Sequence, residues 1–164
     1  MAELGTLRMT TGDVAAASAI LIAAATALVT RGEALWPPDT LTPERLLRHY
    51  PAASWRVAWQ GERAVACMSL LDCDLPFWPD DPPGVALYLH KLAVHPEAQR
   101  LGLSSWMVQY AEAEARRAGV QALKLDTGTD RPKLRALYER SGFRPVGQKT
   151  VFGFNVTLYV LDLQ

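Results

Sequence analysis

The chain has 164 residues, which is long enough for one domain with a sizeable hydrophobic core. Hydrophobic residues make up 49% of it, which excludes an intrinsically disordered protein. Lysine plus arginine and aspartate plus glutamate number 17 each, so the chain lacks the basic excess that a general nucleic-acid binder needs. We therefore expect a single domain over residues 1–164 that does not bind nucleic acid.

The cysteines and the apolar segments are two features of the sequence that indicate where in the cell the protein is located. Cys67 and Cys73 have neither a CxxC partner nor a histidine at metal-binding spacing, so we expect no metal site and two reduced thiols in a cytoplasmic protein. Residues 14–30 carry no charge, but their larger apolar side chains recur at helical spacing. This pattern predicts a helix that packs on a core and does not span a membrane.

The first half of the chain is predicted to form a strand, two helices and a β-hairpin. The predicted ranges are 4–9 for the strand, 14–30 and 42–49 for the helices, and 54–59 with 63–71 for the hairpin. Thr10 and Asp13 are three residues apart, which is the spacing of a capping box for the first helix. Gly61 lies in the tight turn between the two β-prone runs of the hairpin.

The second half of the chain is predicted to alternate strands with helices. Strands are expected at 85–94, 120–126, 144–147 and 151–163, and helices at 103–118 and 131–141. The strand–helix–strand unit from 85 to 126 requires parallel pairing through a right-handed crossover, whereas the hairpin is antiparallel. The fold class is therefore α/β (α+β), with a mixed, mostly antiparallel central sheet flanked by helices.

The junction between the strand that ends at Val94 and the helix that starts at Leu103 has the features of an anion-binding turn. Gly102 stands directly before the helix. Such a turn points backbone N–H groups at one spot, where the helix N-terminus adds partial positive charge. The residues alone are also compatible with an ordinary strand-to-helix turn, in which Gly102 only relieves strain.

Three motifs follow one another between Tyr88 and Phe143. They are His90-Lys-Leu-Ala-Val-His-Pro-Glu97, Gln99-Arg-Leu-Gly-Leu-Ser104 and Leu137-Tyr-Glu-Arg-Ser-Gly-Phe143. Together with the predicted order of elements over nearly the whole chain, they resemble the GNAT (Gcn5-related N-acetyltransferase) superfamily. The resemblance implies the GNAT-like acyl-CoA N-acyltransferase fold, with acetyl-CoA as co-substrate and without a metal.

The resemblance also implies which residues bind the coenzyme. In the family, a Gln/Arg-x-x-Gly-x-Gly/Ala turn binds the pyrophosphate through its amides, and the preceding strand end pairs with the pantetheine amides. Ser104 departs from Gly/Ala, and Arg131 stands where the family often has an asparagine that contacts the coenzyme. The residues expected to bind the coenzyme are Leu92, Ala93, Val94, Gln99, Arg100, Leu101, Gly102, Leu103, Ser104, Ser105, Arg131 and Tyr138.

Tyr138 matches the family's tyrosine, whose implied role is to protonate the departing thiolate of coenzyme A. A phenol with a reference pKa of about 10 is protonated at neutral pH and can donate. Leu134 and Leu137 share its helix face, so the ring also fits a packing role. The backbone N–H of Leu92 is implied as a donor to the oxyanion of the reacting thioester.

His90 stands two residues before Leu92, where many family members have glutamate. An amine must lose a proton before it attacks a thioester, and an imidazole with a reference pKa of about 6.5 suits that step. Two interpretations stay open. His90 is either the general base or a half-buried strand histidine that a backbone carbonyl satisfies.

The acceptor is expected to bind at loops that carry aromatic and acidic side chains. Trp36, Trp78 and Asp80 are the candidates, because aromatic faces and carboxylates suit a cationic amine. The other aspartates of the loop 72–84, Asp74 among them, fit the same role or that of solvated loop acids.

These observations predict an acetyl-CoA-dependent N-acetyltransferase that acts on a primary amine of a small molecule or a peptide by direct attack in a ternary complex. A ping-pong route is disfavoured because Cys67 and Cys73 precede the cofactor strand and lack a paired base.

The alternative is a catalytically inactive acyl-CoA-binding sensor or interaction module on the same fold. A dinucleotide-binding fold is disfavoured because the turn lacks GxGxxG. The resemblance leaves a homodimer open.

Overall fold

The structure, a computed structural model, describes residues 6–99 and 101–163. Its strands are β1 (Leu7–Thr11), β2 (Trp55–Gln60), β3 (Arg63–Leu71), β4 (Ala86–Val94), β5 (Ala122–Gly128), β6 (Arg144–Val151) and β7 (Phe154–Asp162). Its α-helices are α1 (Val14–Thr30), α2 (Pro43–Leu47), α3 (Leu103–Arg117) and α4 (Pro132–Arg140). The predicted order of strands and helices is therefore confirmed.

The strands form a mixed seven-stranded sheet in the order β1-β2-β3-β4-β5-β7-β6. Strands β4 and β5 pair in parallel, with Ala86 opposite Ala122, as the crossover through α3 requires. The pairs β1–β2, β2–β3, β5–β7 and β6–β7 are antiparallel. The predicted fold class, a mostly antiparallel mixed sheet with helices, is confirmed.

The chain groups into two compact units. The first contains the residues up to Ser69 together with Lys91–Met107, and the second contains Leu70–His90 and the residues from Val108 onward. The boundaries fall inside β3, β4 and α3. The prediction of one domain over residues 1–164 stays a prediction.

The core of the first unit forms where α1 packs on β2. Ile20 and Leu21 of the helix lie in one buried cluster with Trp55 and Val57 of the strand. Burying side chains of this size stabilises the fold by about 1.5–3 kcal/mol each. Ala17 and Ala25 are buried in the same cluster, and their small side chains allow helix and strand to approach closely.

The N-cap residue of α1 differs from the prediction. Asp13 is itself the N-cap, because its carboxylate accepts a hydrogen bond of 2.9 Å from the backbone N–H of Ala16. Thr10 lies in β1 opposite Val57, and its hydroxyl accepts a hydrogen bond from the indole N–H of Trp59. The predicted capping box is therefore wrong, since pairing with β2 extends β1 through Thr11 and leaves Thr10 outside the helix start.

The second unit contains a smaller buried cluster around the parallel pair. Ala86 and Tyr88 of β4 pack with Ala122 of β5 and Val160 of β7, and Trp78 packs against them from the loop before β4. Strand β5 lies between β4 and β7; residues 122–124 pair with both neighbours, whereas residues 125–128 pair with β7. Within the described ranges, no helix has both the length and the apolar character needed to cross a membrane.

Candidate active site

The end of strand β4 is irregular at Lys91. Its φ of 54° lies in the left-handed region, which is uncommon for any residue with a Cβ and deflects the backbone directly before Leu92. The ammonium group of Lys91 lies 4.7 Å from the ring centroid of Trp36, a cation–π contact that holds the side chain in this conformation. Of the three residues that follow Lys91, Ala93 and Val94 are buried and Leu92 is partly buried.

The turn after β4 is held by two side chains. The Nδ1 atom of His95 accepts a hydrogen bond from the backbone N–H of Glu97 and so caps a short 3-10 helix, Pro96–Ala98. The amide of Gln99 donates a hydrogen bond of 2.9 Å to the carbonyl of Val94 and ties the turn to the strand end. The predicted coenzyme contact Arg100 lies outside the described residues.

Helix α3 begins directly after Gly102. The φ of Gly102 is 75°, a left-handed conformation that glycine adopts without strain. A Cβ at this position would meet no described atom within 4 Å, so backbone conformation and not space explains the glycine. The first turn of any α-helix lacks intrahelical acceptors for its N–H groups, and here that turn holds Leu103, Ser104 and Ser105.

His90 is paired with a carboxylate in the second unit. Its Nε2 atom lies 2.7 Å from Oδ2 of Asp74, and only 11% of the histidine side chain and 5% of the aspartate side chain are exposed. Asp74 comes from the loop between β3 and β4, 16 residues away in sequence. The ring of Phe77, from the same loop, lies 5.8 Å from the imidazole.

A second carboxylate completes this cluster. Asp74, His90 and Asp126 each offer an atom that could bind a metal, and these atoms all lie within 4.8 Å of one another. Three such groups could hold a divalent cation, although the direct hydrogen bond between His90 and Asp74 by itself accounts for the approach of those two side chains. The sequence patterns gave no signal for this pairing, since Asp74 was one of several aspartates in a proline-rich loop.

The remainder of that loop is fastened to β4 and β5. The Oδ2 atom of Asp81 accepts hydrogen bonds from the hydroxyl of Tyr88, at 2.7 Å, and from the ammonium of Lys124, at 2.8 Å. Lys124 also lies 4.7 Å from the ring centroid of Trp78, whose buried indole nitrogen has no hydrogen-bond partner among the described residues. Asp80 is exposed. The substrate-binding roles of Trp36, Trp78 and Asp80 stay predictions.

Tyr138 is buried on helix α4. Its ring packs at 5.8 Å from that of Phe143 and 6.2 Å from that of Tyr159, so the packing role considered for it is present. Burial raises the pKa of the Tyr138 hydroxyl well above its usual value, and the negative charge of Asp126 raises it further. The hydroxyl is therefore protonated at neutral pH, as a proton donor must be.

Arg131 directly precedes helix α4. Its backbone N–H donates to the carbonyl of Gly128, and its guanidinium lies 3.9 Å from a carboxylate oxygen of Asp130. A Cβ at Gly128 would come within 2.8 Å of the Arg131 side chain, so the glycine gives this arginine its room. Its contact with a coenzyme phosphate stays a prediction.

The residues predicted to act in catalysis or binding are described for each unit separately. The first unit contains the segment from Leu92 to Ser105 and Trp36, and the second contains His90, Tyr138, Arg131, Trp78 and Asp80. Within the second unit, Asp126 is a shared neighbour of the two predicted catalytic residues, because it lies beside His90 and raises the pKa of Tyr138.

Comparison with known proteins assigns the family. The model of the acetyltransferase (GNAT) family matches residues 23–143, which include β4, the turn, α3 and all of α4. The chain belongs to this family. No curated protein sequence matches it.

Solved structures of GNAT acetyltransferases share the fold. One from Listeria monocytogenes is 20% identical, with a TM-score of 0.73, and the match covers 96% of this chain and 94% of that one. The protein yncA from Salmonella typhimurium, solved with its cofactor acetyl-CoA, is 19% identical, with a TM-score of 0.68 and the same coverage of 96% and 94%. The ribosomal-protein-S18-alanine N-acetyltransferase from Escherichia coli is 17% identical, with a TM-score of 0.69, again over 96% and 94%.

Proposed function

We propose that this GNAT protein is an N-acetyltransferase that moves the acetyl group of acetyl-CoA to a primary amine in a ternary complex. The observation that carries the proposal is the family match over residues 23–143, which contains the predicted coenzyme turn and both predicted catalytic residues. The acetyl-CoA complex of the Salmonella relative supports the choice of donor. The whole chain, 1–164, is proposed to act as one catalytic domain.

The proposed coenzyme contacts follow from the local backbone. The turn around Gly102 leads into the N-terminus of a 15-residue helix, where N–H groups and the helix dipole favour phosphate. The strand end from Leu92 to Val94 would pair with the amides of pantetheine. The side chains of Arg100 and Arg131 are proposed to add positive charge to the phosphates.

The proposed reaction needs one base, one oxyanion donor and one acid. His90 accepts a proton from the ammonium form of the acceptor, which frees the lone pair that attacks the thioester carbon. The backbone N–H of Leu92 stabilises the resulting oxyanion. The carbon–sulfur bond then breaks and Tyr138 gives its proton to the thiolate. The second proton of the attacking nitrogen passes to the Tyr138 phenolate, which leaves a neutral amide and free coenzyme A. Cys67 does not fit a covalent route, because burial raises the pKa of its thiol and keeps it protonated.

The test measures release of coenzyme A from acetyl-CoA with a panel of amines, including peptides with free N-termini, lysine peptides, polyamines and aminoglycosides. Tyr138→Phe is expected to lower kcat by about 100-fold, within the range for loss of a general acid, with unchanged affinity for acetyl-CoA. Tyr110→Phe is the matched control, because it removes a phenol from a partly buried tyrosine of α3 that packs on Arg117. Release is measured by chromatography, because the exposed Cys73 would react with a thiol reagent.

The outcomes separate the two functional classes. Tight binding of acetyl-CoA without turnover on any amine would favour an acyl-CoA-binding module. Full activity of Tyr138→Phe in an active enzyme would show that Tyr138 is not the acid.

A further inference from the structure

The hydrogen bond between the buried side chains of Asp74 and His90 has a defined donor and acceptor. An ionised carboxylate can only accept hydrogen bonds, so the imidazole must carry its hydrogen on Nε2, the atom that lies 2.7 Å from Oδ2. The neutral ring then presents Nδ1 as its basic atom. A carboxylate at this position therefore selects one tautomer of the histidine.

We propose that Asp74 is a positioning residue for acetyl transfer, which holds His90 as the Nε2–H tautomer so that Nδ1 takes the proton of the acceptor amine. This inference rests on the proposed function. When the amine gives its proton to Nδ1, the ring becomes an imidazolium, and its Nε2–H bond to Asp74 becomes a charge-assisted hydrogen bond. Asp74 thus stabilises the protonated base and does not itself touch the substrate.

The groups around His90 also favour the transfer of the amine proton to its ring. The titratable groups near it in the second unit are Asp74 and Asp126, which bear the charge opposite to that of an imidazolium, and Tyr88 two residues earlier on the strand. The nearby charges of Asp81 and Asp74 contribute to the raised pKa of Tyr88, together with its burial, so that its hydroxyl stays neutral. The Phe77 ring lies 5.8 Å from the imidazole, and the side chains of His90 and Asp74 are only 11% and 5% exposed.

Separate contacts hold the loop in place, so Asp74 does not depend on its own hydrogen bond for its position. The backbone carbonyl of Asp74 accepts from the N–H of Trp78 at 2.8 Å, which closes a turn. Asp81 fastens the far end of the loop to Tyr88 and Lys124. Replacing the Asp74 carboxylate by an amide should therefore change the charge at His90 while the loop remains folded.

The kinetic test uses Asp74→Asn, His90→Gln and the double variant. Asp74→Asn is expected to lower kcat by about 100-fold with an unchanged KM for acetyl-CoA, because the imidazolium loses the carboxylate that accepts its Nε2–H bond. In the His90→Gln background, Asp74→Asn should cause no further loss, since Asp74 acts only through His90. Asp39→Asn is the control, because its side chain is 84% exposed and forms an ion pair with the exposed Arg45.

A purely structural role of Asp74 predicts different results. It would raise the KM for acetyl-CoA as well as lower kcat, or the losses of the single variants would add in the double variant. Either result would overturn the proposal. So would loss of activity with a chelator that a divalent cation restores, because the cluster would then hold a metal.

A spectroscopic measurement tests the pairing independently of turnover. The ¹⁵N chemical shifts of the His90 ring in the wild-type protein should show the hydrogen on Nε2, and Asp74→Ala should populate both tautomers. A hydrogen on Nδ1 in the wild type would contradict the inference. If no amine were acetylated, the proposed function would fail, and the ring tautomer alone would decide whether Asp74 orients His90.

Discussion

Lys91, directly before the predicted coenzyme segment, and Gly102, within it, both adopt left-handed backbone conformations, and they differ in what maintains them. Gly102 adopts a φ of 75° without penalty, whereas Lys91, at 54°, carries a Cβ. A left-handed conformation costs an ordinary residue about 1–2 kcal/mol. Contact with the Trp36 ring offsets part of that strain at Lys91. The left-handed conformation is therefore free of strain at Gly102 and costs free energy at Lys91.

Replacing Gly102 by alanine tests whether the turn conformation serves coenzyme binding. Gly119, at the end of α3, is the matched control, because its φ of 74° is nearly the same and a Cβ there also meets no described atom within 4 Å. Both Gly102→Ala and Gly119→Ala should lower the free energy of unfolding by about 1 kcal/mol. Only Gly102→Ala should raise the Kd for acetyl-CoA, by about fivefold or more, as measured by calorimetry. Equal affinity in the two variants would argue against the turn as the phosphate site.

At the scale of elements, the hairpin of β6 and β7 contains a residue that suits its turn poorly. Val151 pairs with Phe154, so Phe152 and Gly153 form a two-residue turn in which both φ values are positive, at 51° and 82°. This is the pattern of a type I′ turn, which favours Asn-Gly. The side chain of Phe152 is 79% exposed and gains little from packing.

Phe152→Asn is therefore expected to stabilise the protein, by roughly 0.5–1 kcal/mol in urea denaturation, because asparagine tolerates the left-handed region. Phe154→Asn serves as the control. Phe154 is also exposed, at 65%, but it lies in a strand, where asparagine is disfavoured, so no gain is expected. A gain of equal size in both variants would mean that reduced apolar exposure, and not turn conformation, is responsible.

For the whole molecule, buried protonated groups determine how stability depends on pH. Burial is the main cause of the raised pKa values of Cys67, Tyr88 and Tyr138. A pKa raised by folding contributes stability that is fully present below the unfolded-state value and is lost as the pH rises above it. For a thiol, that unfolded-state value is about 8.5, and for a phenol about 10.

The free energy of unfolding should therefore fall as the pH rises above about 8.5, with a slope near 1.4 kcal/mol per pH unit for each proton released. Cys67→Ala should abolish the part of this loss between about pH 8.5 and 10, where the phenols do not yet ionise in the unfolded chain. Urea denaturation across this pH range is the measurement. Cys73→Ala is the control, because Cys73 is exposed. The same pH slope in Cys67→Ala and wild type would contradict the assignment.

Local patterns in the sequence are sufficient to predict much of the fold without knowledge of tertiary contacts. Hydrophobic periodicity located the helices and strands, and the short crossover from β4 to β5 required their parallel pairing, with Ala86 opposite Ala122. The left-handed Gly102 was signalled by its place before α3. These features depend on residues that are close in sequence or on chain connectivity, so a single sequence suffices to predict them.

Only the tertiary structure decided how the side chains of the site are paired. The bond between His90 and Asp74 depends on a loop with four prolines, which Asp81 fastens to Tyr88 and Lys124. The N-cap of α1 is likewise Asp13 and not Thr10, because Thr10 pairs with Val57 of β2 in the sheet. Such contacts join residues that are distant in sequence, and their free energies depend on geometry that local propensity does not report. The sequence by itself therefore determined the family and the left-handed turn at Gly102, whereas the pairing of the predicted base His90 with Asp74 was set by folding of the loop.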